Sequence, residues 1–177
     1  MRKMISLSLL CCILLAFLVQ TGSCITATIN MVKNGGFESG LDNWEKLIDG
    51  DGEVVVVENP SEAPEGSCYL CVGRSQDYPA SHAVRLCGDT IFNSFNSSWT
   101  KTTIDITQYR GQTCYLEFKS SFGPPYYSAT ARQSIFIPYD AQYLTFYQKL
   151  GNHRYFIDDV RILVTRDYEE IQDPSFE

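Results

Sequence analysis

The sequence is poor in the residues on which many enzymes and nucleic-acid-binding proteins depend. It contains two histidines, His82 and His153, and neither lies in an H-E-x-x-H or G-x-S-x-G motif. Lysine and arginine form no cluster, the net charge is -7 and the isoelectric point is near 4.8. Because nucleic-acid binding requires a basic surface, this composition predicts no nucleic-acid partner. Acidic residues are plentiful, but no pair is singled out as the two carboxylates of a glycosidase. We therefore predict that the protein is not an enzyme.

Long apolar runs are also scarce, and the one present is at the N-terminus. Basic residues at positions 2 and 3 precede an apolar stretch from Met4 to Val19, which ends in the small and polar Thr21-Gly22-Ser23. This order predicts a secretory signal peptide over residues 1–24. Two alternatives are a membrane anchor, for which the run is short, and a lipoprotein acylated at Cys24. No second apolar span follows, so we expect a secreted or cell-surface protein with no membrane span after cleavage.

Helical periodicity is missing from the rest of the chain, and short alternating segments separated by turn residues replace it. About 150 residues remain, enough for one domain with a core. The pattern predicts an all-β fold, an antiparallel β-sandwich. Four consecutive valines within Glu53–Glu58 favour a strand that is buried on both sides or lies at a sheet centre. A polar stretch from Gly88 to Ser98 carries no strand signal. The predicted strands are 26–33, a short one after Trp44, 53–58, 67–73, 80–87, 102–106, 113–120, 133–137, 142–149 and 155–165.

Four cysteines remain beyond the signal region and Cys24, and an exported protein favours their pairing in two disulfides. Cys68 and Cys71 lie three apart on a predicted strand, so they face opposite sides and should not pair with each other. The other two are Cys87 and Cys114. The alternatives are a zinc site, for which C-x-x-C has the right spacing, and unpaired buried thiols.

The two ends of the predicted sandwich carry acids in unusual places. At period two, Asp158 shares one face of the last strand with Phe156, Val160, Ile162 and Val164. A carboxylate among apolar residues is costly without amide donors, a basic partner or a metal ion. Glu38 follows two glycines and Phe37 near the start. If the first and last strands are neighbours, these two acids could hold one cation, and oxygen-only ligands favour Ca²⁺. We expect Asp159 to face solvent.

These end segments resemble a known family. The opening N-G-G-F-E-x-G (residues 34–40) followed by Trp44, and the closing aromatic-x-I-D-D-V (residues 155–160), are similar to the galactose-binding-like jelly rolls. That family includes calcium-bearing carbohydrate-binding modules, and the resemblance extends from Val32 to Val164. It implies a jelly roll and a structural Ca²⁺ held by Glu38 and Asp158, with an acid or carbonyl around Glu65 completing the shell. The alternative is that Asp158 caps backbone amides or pairs with an arginine.

Two features depart from the family pattern. The segment 131–146, which related modules place before the segment 99–112, follows it here, so strand pairing in the middle and any cleft there are open questions. Residues 171–177 also resemble residues 32–38, either as the first strand of a truncated second copy or by coincidence. We therefore divide the chain into the signal peptide (1–24), one β-sandwich module (25–166) and a linker that includes the possible first strand of a truncated second copy (167–177).

Aromatic residues supply the candidate ligand site, since sugar rings stack on aromatic planes and their hydroxyls bond to planar polar groups. We expect Trp44 to be a packing residue, and any single strand tyrosine could equally pack at the rim of the core. The predicted function is a secreted, non-catalytic carbohydrate-binding module with a structural calcium ion, whose partner is a polysaccharide or glycan. The alternative is a structural or adhesive β-sandwich repeat of a cell-surface protein that binds other surface proteins. The candidate ligand-binding residues are Arg74, Tyr78, Trp99, Tyr126, Tyr127 and Tyr147, and the candidate metal ligands are Glu38, Glu65 and Asp158.

Overall fold

Strands make up most of the chain that the computed structural model describes, which comprises residues 26–74, 80–123 and 127–167. Residues Thr28–Thr165 form one compact unit. One short 3-10 turn, Thr107–Tyr109, interrupts the strands. The strands are β1 (Thr26–Asn30), β2 (Glu45–Asp49), β3 (Glu53–Glu58), β4 (Cys68–Gly73), β5 (Ala80–Leu86), β6 (Asp89–Phe92), β7 (Thr100–Asp105), β8 (Thr113–Phe122), β9 (Ser128–Phe136), β10 (Tyr143–Leu150) and β11 (Arg154–Asp167).

The strands form two antiparallel sheets that pack as a sandwich, which confirms the predicted fold class. Sheet I has the order β3-β4-β11-β10-β7, and β1 also pairs with β11. Sheet II has the order β2-β9-β8-β5-β6. The middle segments with the unusual order all take part in the sheets: β7 pairs with β10 at the edge of sheet I, β10 also pairs with β11, and β9 pairs with both β2 and β8 in sheet II.

Alternating side chains from both sheets fill the space between them. On β10, Leu144 and Phe146 are buried, and on β8, Leu116 and Phe118 are buried, while their neighbours are more exposed. The rings of Phe118 and Phe146 meet across the core with centroids 6.0 Å apart. Each such buried ring removes apolar area from water, which stabilises the fold by about 1.5–3 kcal/mol per side chain. Trp44 belongs to this core, with its ring 5.6 Å from that of Phe118, so its predicted packing role is confirmed.

The four-valine strand is not at a sheet centre, so that prediction was wrong. Strand β3 is the edge of sheet I and pairs with β4 alone. Val54 is buried, whereas Val55, Val56 and Val57 are half-buried. A run of β-branched residues favours a strand but carries no information about how many neighbours it has. The polar stretch 88–98 also contains a strand, β6, which is four residues long.

Strand β11 contains a bulge that changes which residues face the core. Thr145 of β10 is opposite Arg161 and Tyr147 is opposite Asp158, so β11 has one extra residue between these pairs. Asp159 takes the left-handed backbone conformation there, with φ of 51°. Before the bulge Tyr155 and Ile157 face the core, and after it the core-facing residues are the later apolar ones, Val160, Ile162 and Val164. The prediction that these three share a face with Phe156 and Asp158 was therefore wrong.

Sheet II carries a row of alternating charge across its outer face. The register places Glu45 of β2 beside Arg132 of β9, then Glu117 of β8, then Arg85 of β5. Ion pairs join Arg132 to Glu45 at 2.7 Å and Arg85 to Glu117 at 3.5 Å. The Arg132 guanidinium also lies 4.1 Å from the centre of the Tyr115 ring. We refer to these four charged residues as the charge row.

Several predictions concern residues outside the described ranges. The signal peptide, the C-terminal repeat and the candidate ligands Tyr78 and Tyr126 all lie there. Among residues 26–74, 80–123 and 127–167, no helix is long and apolar enough to cross a membrane.

Candidate functional site

The glycine-containing turn after β1 is packed directly against the bulge of β11. The carbonyl of Gly35 accepts a hydrogen bond from the Val160 amide at 3.0 Å, and the Asn30 side chain donates to the Val160 carbonyl at 3.1 Å. Phe37 has a φ of 57° and its ring is completely buried, 5.4 Å from Trp44. The first and last segments of the sandwich are thus neighbours, and Glu38 follows at the surface.

Glu38 binds the loop that precedes β4. Its Oε1 accepts hydrogen bonds from the amides of Ser67 at 2.7 Å and Cys68 at 2.9 Å, and its Oε2 accepts from the Ser67 hydroxyl at 2.7 Å. The Ser67 hydroxyl and these amides lower the pKa of Glu38. Gly66 permits the approach, because a Cβ at that position would lie 2.2 Å from Glu38 Oε1.

Asp158, on β11, binds the same loop. It is completely buried, and its carboxylate accepts hydrogen bonds from the amides of Glu65 at 3.1 Å and Asp159 at 2.6 Å. Burial raises its pKa to about 6, against the opposing effect of the two amides, and the negative charges of Asp159 and Glu38 raise it further. Asp158 forms no ion pair with any lysine or arginine in the described ranges.

The predicted calcium ligands are therefore only partly assembled. Glu38 and Asp158 both contact the segment 65–68, and they repel each other, so their charge and oxygen chemistry fit a hard cation. Glu65 contributes its amide to Asp158, while its own side chain is exposed. Across the described ranges, no group of three or more His, Cys, Asp or Glu side chains is arranged to hold a metal ion. The two carboxylates would need backbone carbonyls and water to complete a shell of six to eight oxygens.

Asp159 does not face solvent, contrary to expectation. The bulge turns it inward, and it is 7% exposed with its carboxylate paired to Arg161. Of the two acids in I-D-D-V, one thus has an arginine partner and the other has only amides.

A second feature of the outer face of sheet I is a group of three aromatic rings, Tyr69, Trp99 and Phe156, which we call the outer aromatic cluster. Tyr69 is 5.4 Å from Trp99 and 5.5 Å from Phe156 between ring centroids, and Trp99 is 6.4 Å from Phe156. Leu70 and Ile157, the chain neighbours of two of these rings, belong to the core. Alternation along the strands therefore places the cluster on the face turned away from the core.

Charged groups form the rim of this cluster. Lys149 Nζ lies 5.9 Å from the centre of the Trp99 ring and 5.8 Å from that of Phe156, and it is paired with Glu62. The Tyr69 hydroxyl donates to Glu62 at 3.2 Å. The hydrogen bond from Lys149 lowers the pKa of Glu62, so Glu62 is a carboxylate at neutral pH. Tyr69 is buried, Trp99 and Phe156 are half-buried, and the buried Trp99 Nε1 has no hydrogen-bond partner among the described residues.

The other candidate ligand residues are dispersed. Arg74 is buried and paired with Asp51. Tyr127 is half-buried with its ring against Gly50, in the turn between β2 and β3. Tyr147 is half-buried, lies opposite Asp158 and has Lys101 Nζ 5.6 Å from its ring centre. Of the described candidates, Trp99 is the one that lies in a cluster of aromatic rings.

Sequence reasoning missed Tyr69, Phe156, Lys149 and Glu62. A signal for the two rings was present, because each alternates with a core residue on its strand and must face outward. The pairing of β4 with β11, in which Phe156 is opposite Cys71, brings Tyr69 and Phe156 together, and β10, which pairs with both β11 and β7, brings them near Trp99. That pairing is not encoded in any local pattern.

The cysteines form one disulfide among the described residues, Cys87–Cys114. Cys68 and Cys71 are free, so the prediction that the four cysteines form two disulfides was wrong for this pair and the alternative of unpaired thiols applies to it; the two do not pair with each other, as expected. Burial raises the pKa of the Cys71 thiol to about 11, so it is protonated and unreactive at neutral pH.

Comparisons of the chain with family models, with curated proteins and with solved structures find no match.

Proposed function

We propose that the protein is a secreted, non-catalytic carbohydrate-binding module. The observation that carries this proposal is the outer aromatic cluster, in which rings packed on the outer face of sheet I are bordered by an amine and a carboxylate. Sugar rings present apolar C–H faces and many hydroxyls, so a binding site needs ring surface with polar groups at its edge. Trp99 and Phe156 supply the partly exposed rings, and Lys149 and Glu62 supply the polar edge.

The acid at this site is suited to binding rather than to proton transfer. A general acid of a glycosidase needs a carboxyl group with a raised pKa. Lys149 lowers the pKa of Glu62 instead, so Glu62 can accept hydrogen bonds from hydroxyl groups but has no proton to donate at neutral pH. This supports a non-catalytic role.

We also propose that a structural Ca²⁺ binds between Glu38 and Asp158. The support is that a fully buried carboxylate, with no ion-pair partner among the described residues, binds the same 65–68 loop as a second carboxylate. When bound, the ion would neutralise both charges. Glu38 and Asp158 already tie the 65–68 loop to the first and last segments of the sandwich, and removal of their repulsion would strengthen that connection.

The carbohydrate proposal is tested with a glycan array followed by calorimetry on the best ligand. We expect Trp99→Ala to weaken binding at least about fivefold, because stacking on one aromatic ring contributes about 1 kcal/mol or more and each 1.4 kcal/mol is a factor of ten. Tyr115→Ala is the matched control, since this aromatic is exposed on sheet II and lies under the cationic side chain of Arg132, as Trp99 lies near Lys149. Trp99→Phe keeps a ring if the alanine variant fails to fold. Folded wild-type protein that binds no glycan, or equal effects of the two alanine variants, would exclude the cluster as the site.

A second candidate function, adhesion to another surface protein, is favoured by apolar residues on sheet II. Every residue of the edge strand β2 is exposed, including Leu47 and Ile48. In the same sheet, Tyr115 on β8 and Phe136 on β9 are also exposed. Unpaired strand edges with apolar side chains are common protein contacts. Replacement of Leu47 and Ile48 by lysine should abolish cell adhesion under this alternative and leave glycan binding intact under the first proposal.

A further inference from the structure

A pocket of about 600 Å³ lies away from the outer aromatic cluster and the two carboxylates. Its walls come from the start of β5, from β6 and the connection that follows it, and from Leu150 at the end of β10. Pockets for small molecules in proteins span about 300–1,000 Å³, so this one is large enough for a small ligand. Neither predicted site uses it.

The pocket combines apolar surface with neutral hydrogen-bonding groups. Phe95 and Leu150 supply apolar surface, and Ser81, Asn93 and Ser94 supply hydroxyl and amide groups. Among the described residues that line it, none is aspartate, glutamate, lysine or arginine. The described lining residues therefore offer hydrogen bonds to hydroxyl groups but no counter-charge to a charged ligand.

The one titratable group among the described lining residues, His82, is fixed in place and neutral. Its Nδ1 lies 2.8 Å from the Ser120 hydroxyl, and its ring packs 5.0 Å from Tyr155 and 6.0 Å from Phe95 between centroids. Burial, and to a smaller degree the nearby His153, lower the pKa of His82 to about 4. Phe95 is fixed as well, because its ring is 4.6 Å from Tyr155 and 5.0 Å from Phe92. The wall is therefore preformed, which reduces the entropic cost of binding.

We infer that this pocket binds a small, neutral, polyhydroxylated ligand, such as a single uncharged sugar residue. The ligand would place an apolar face against Phe95 and exchange hydrogen bonds with Ser81, Asn93 and Ser94. This inference goes beyond the proposed function, because it requires neither the outer aromatic cluster nor calcium. It assigns the chain a second binding site with a preference for uncharged ligands.

The test is an NMR titration that uses the histidine rings as reporters. The chain has two histidines, so a His153→Asn variant assigns both ring signals, and asparagine tolerates the left-handed conformation at that position. The probes are methyl β-galactopyranoside, methyl α-glucopyranoside and glucuronate. We expect saturable shifts of the His82 signals with at least one neutral glycoside at a Kd of about 1 mM. Binding of glucuronate should be at least about tenfold weaker, because the described lining residues offer its carboxylate no counter-charge.

Two variants locate the binding. Ser94→Trp should fill the pocket mouth and weaken binding of the neutral glycoside at least about tenfold, and Asn93→Ala serves if the first variant does not fold. Trp99→Ala should leave the His82 titration unchanged. Absence of a saturable shift at His82, equal affinity for glucuronate, or no effect of the pocket variants would overturn the inference. A glycan array without binding alongside an intact His82 titration would overturn the aromatic-cluster proposal while supporting this one.

Discussion

The contact between the glycine turn and β11 allows a quantitative prediction with a neighbouring control. Gly35 and Gly36 are adjacent in sequence, but their surroundings differ. A Cβ added at Gly35 would lie 2.0 Å from the carbonyl oxygen of Val160, whereas a Cβ at Gly36 would meet nothing within 4 Å. The obstacle at Gly35 is backbone, so it cannot be avoided by rotating a side chain.

The expected cost of Gly35→Ala follows from two terms. The turn must move about 1 Å away from β11, and such overpacking costs about 1–3 kcal/mol. The movement also stretches the hydrogen bond from the Val160 amide to the Gly35 carbonyl, which contributes about 1 kcal/mol. The sum is a loss of about 2–4 kcal/mol in the free energy of unfolding. Since each 1 kcal/mol shifts Tm by about 2–4 °C in a domain of this size, Tm should fall by about 5–15 °C.

Gly36→Ala should change stability by less than about 0.5 kcal/mol or stabilise slightly, because alanine restricts the unfolded chain and meets open space. The assay is urea unfolding followed by tryptophan fluorescence, which is informative because Trp44 packs against Phe37 of the same turn. Equal stability of the two alanine variants would show that the turn is not packed on β11. The proximity of Glu38 and Asp158, and with it the calcium proposal, would then lose its structural basis.

Three further predictions concern titration, oxidation and metal binding. His82 has a pKa of about 4 in the folded protein, below its unfolded value near 6.5, so the unfolded state binds more protons between these two pH values. The free energy of unfolding should therefore fall by about 3 kcal/mol as the pH drops from 6.5 to 4. The difference in the free energy of unfolding between wild type and His82→Gln, measured with urea across this pH range, isolates the contribution of His82. Reduction of the Cys87–Cys114 disulfide, whose cysteines are 27 residues apart, should lower the free energy of unfolding by about 3–4 kcal/mol. The control is the Cys87→Ser/Cys114→Ser double variant, whose stability should not change on addition of reductant. Calcium at about 100 times its Kd should raise the free energy of unfolding by about 2.7 kcal/mol compared with the same protein in chelator. A Tm that calcium does not change, or an equal rise in Tm for Asp158→Ala, would contradict the proposed site.

The fold could be predicted from local patterns, whereas the neighbours of each strand could not. Alternation and turn residues located β3 at Glu53–Glu58 and most other strands within a few residues. The position of β3 at a sheet edge was mispredicted, because hydrophobic composition reports burial and not the number of paired neighbours. Strand β6 was missed because four residues with two polar ones give too little periodicity.

The site was predicted in part for the same reason. The proximity of Glu38 and Asp158 followed from end motifs whose strands are neighbours, and the structure brings both to the 65–68 loop. The prediction that Asp159 faces solvent was wrong, because a bulge inserts one residue in β11 and reverses the alternation of side chains on which a period-two argument rests. The rings of the outer aromatic cluster come from three separate segments, which are brought together by the pairing of β4 with β11 and of β10 with both β11 and β7.

The charge row on sheet II has a consequence for how the chain finds its correct pairing. A two-residue shift of β9 along β8 would keep every side chain on its proper face, so core burial alone distinguishes such a shift poorly. In the native register Arg132 is beside Glu117, but the shifted strands would set Arg132 beside Lys119 or Tyr115. The same shift between β5 and β8 would move Arg85 from Glu117 to Lys119 or Tyr115. Exposed ion pairs add little to stability, yet like charges directly opposite are unfavourable. The charge row therefore disfavours the shift that would set Arg132 and Arg85 opposite Lys119, a register that the apolar pattern alone would tolerate.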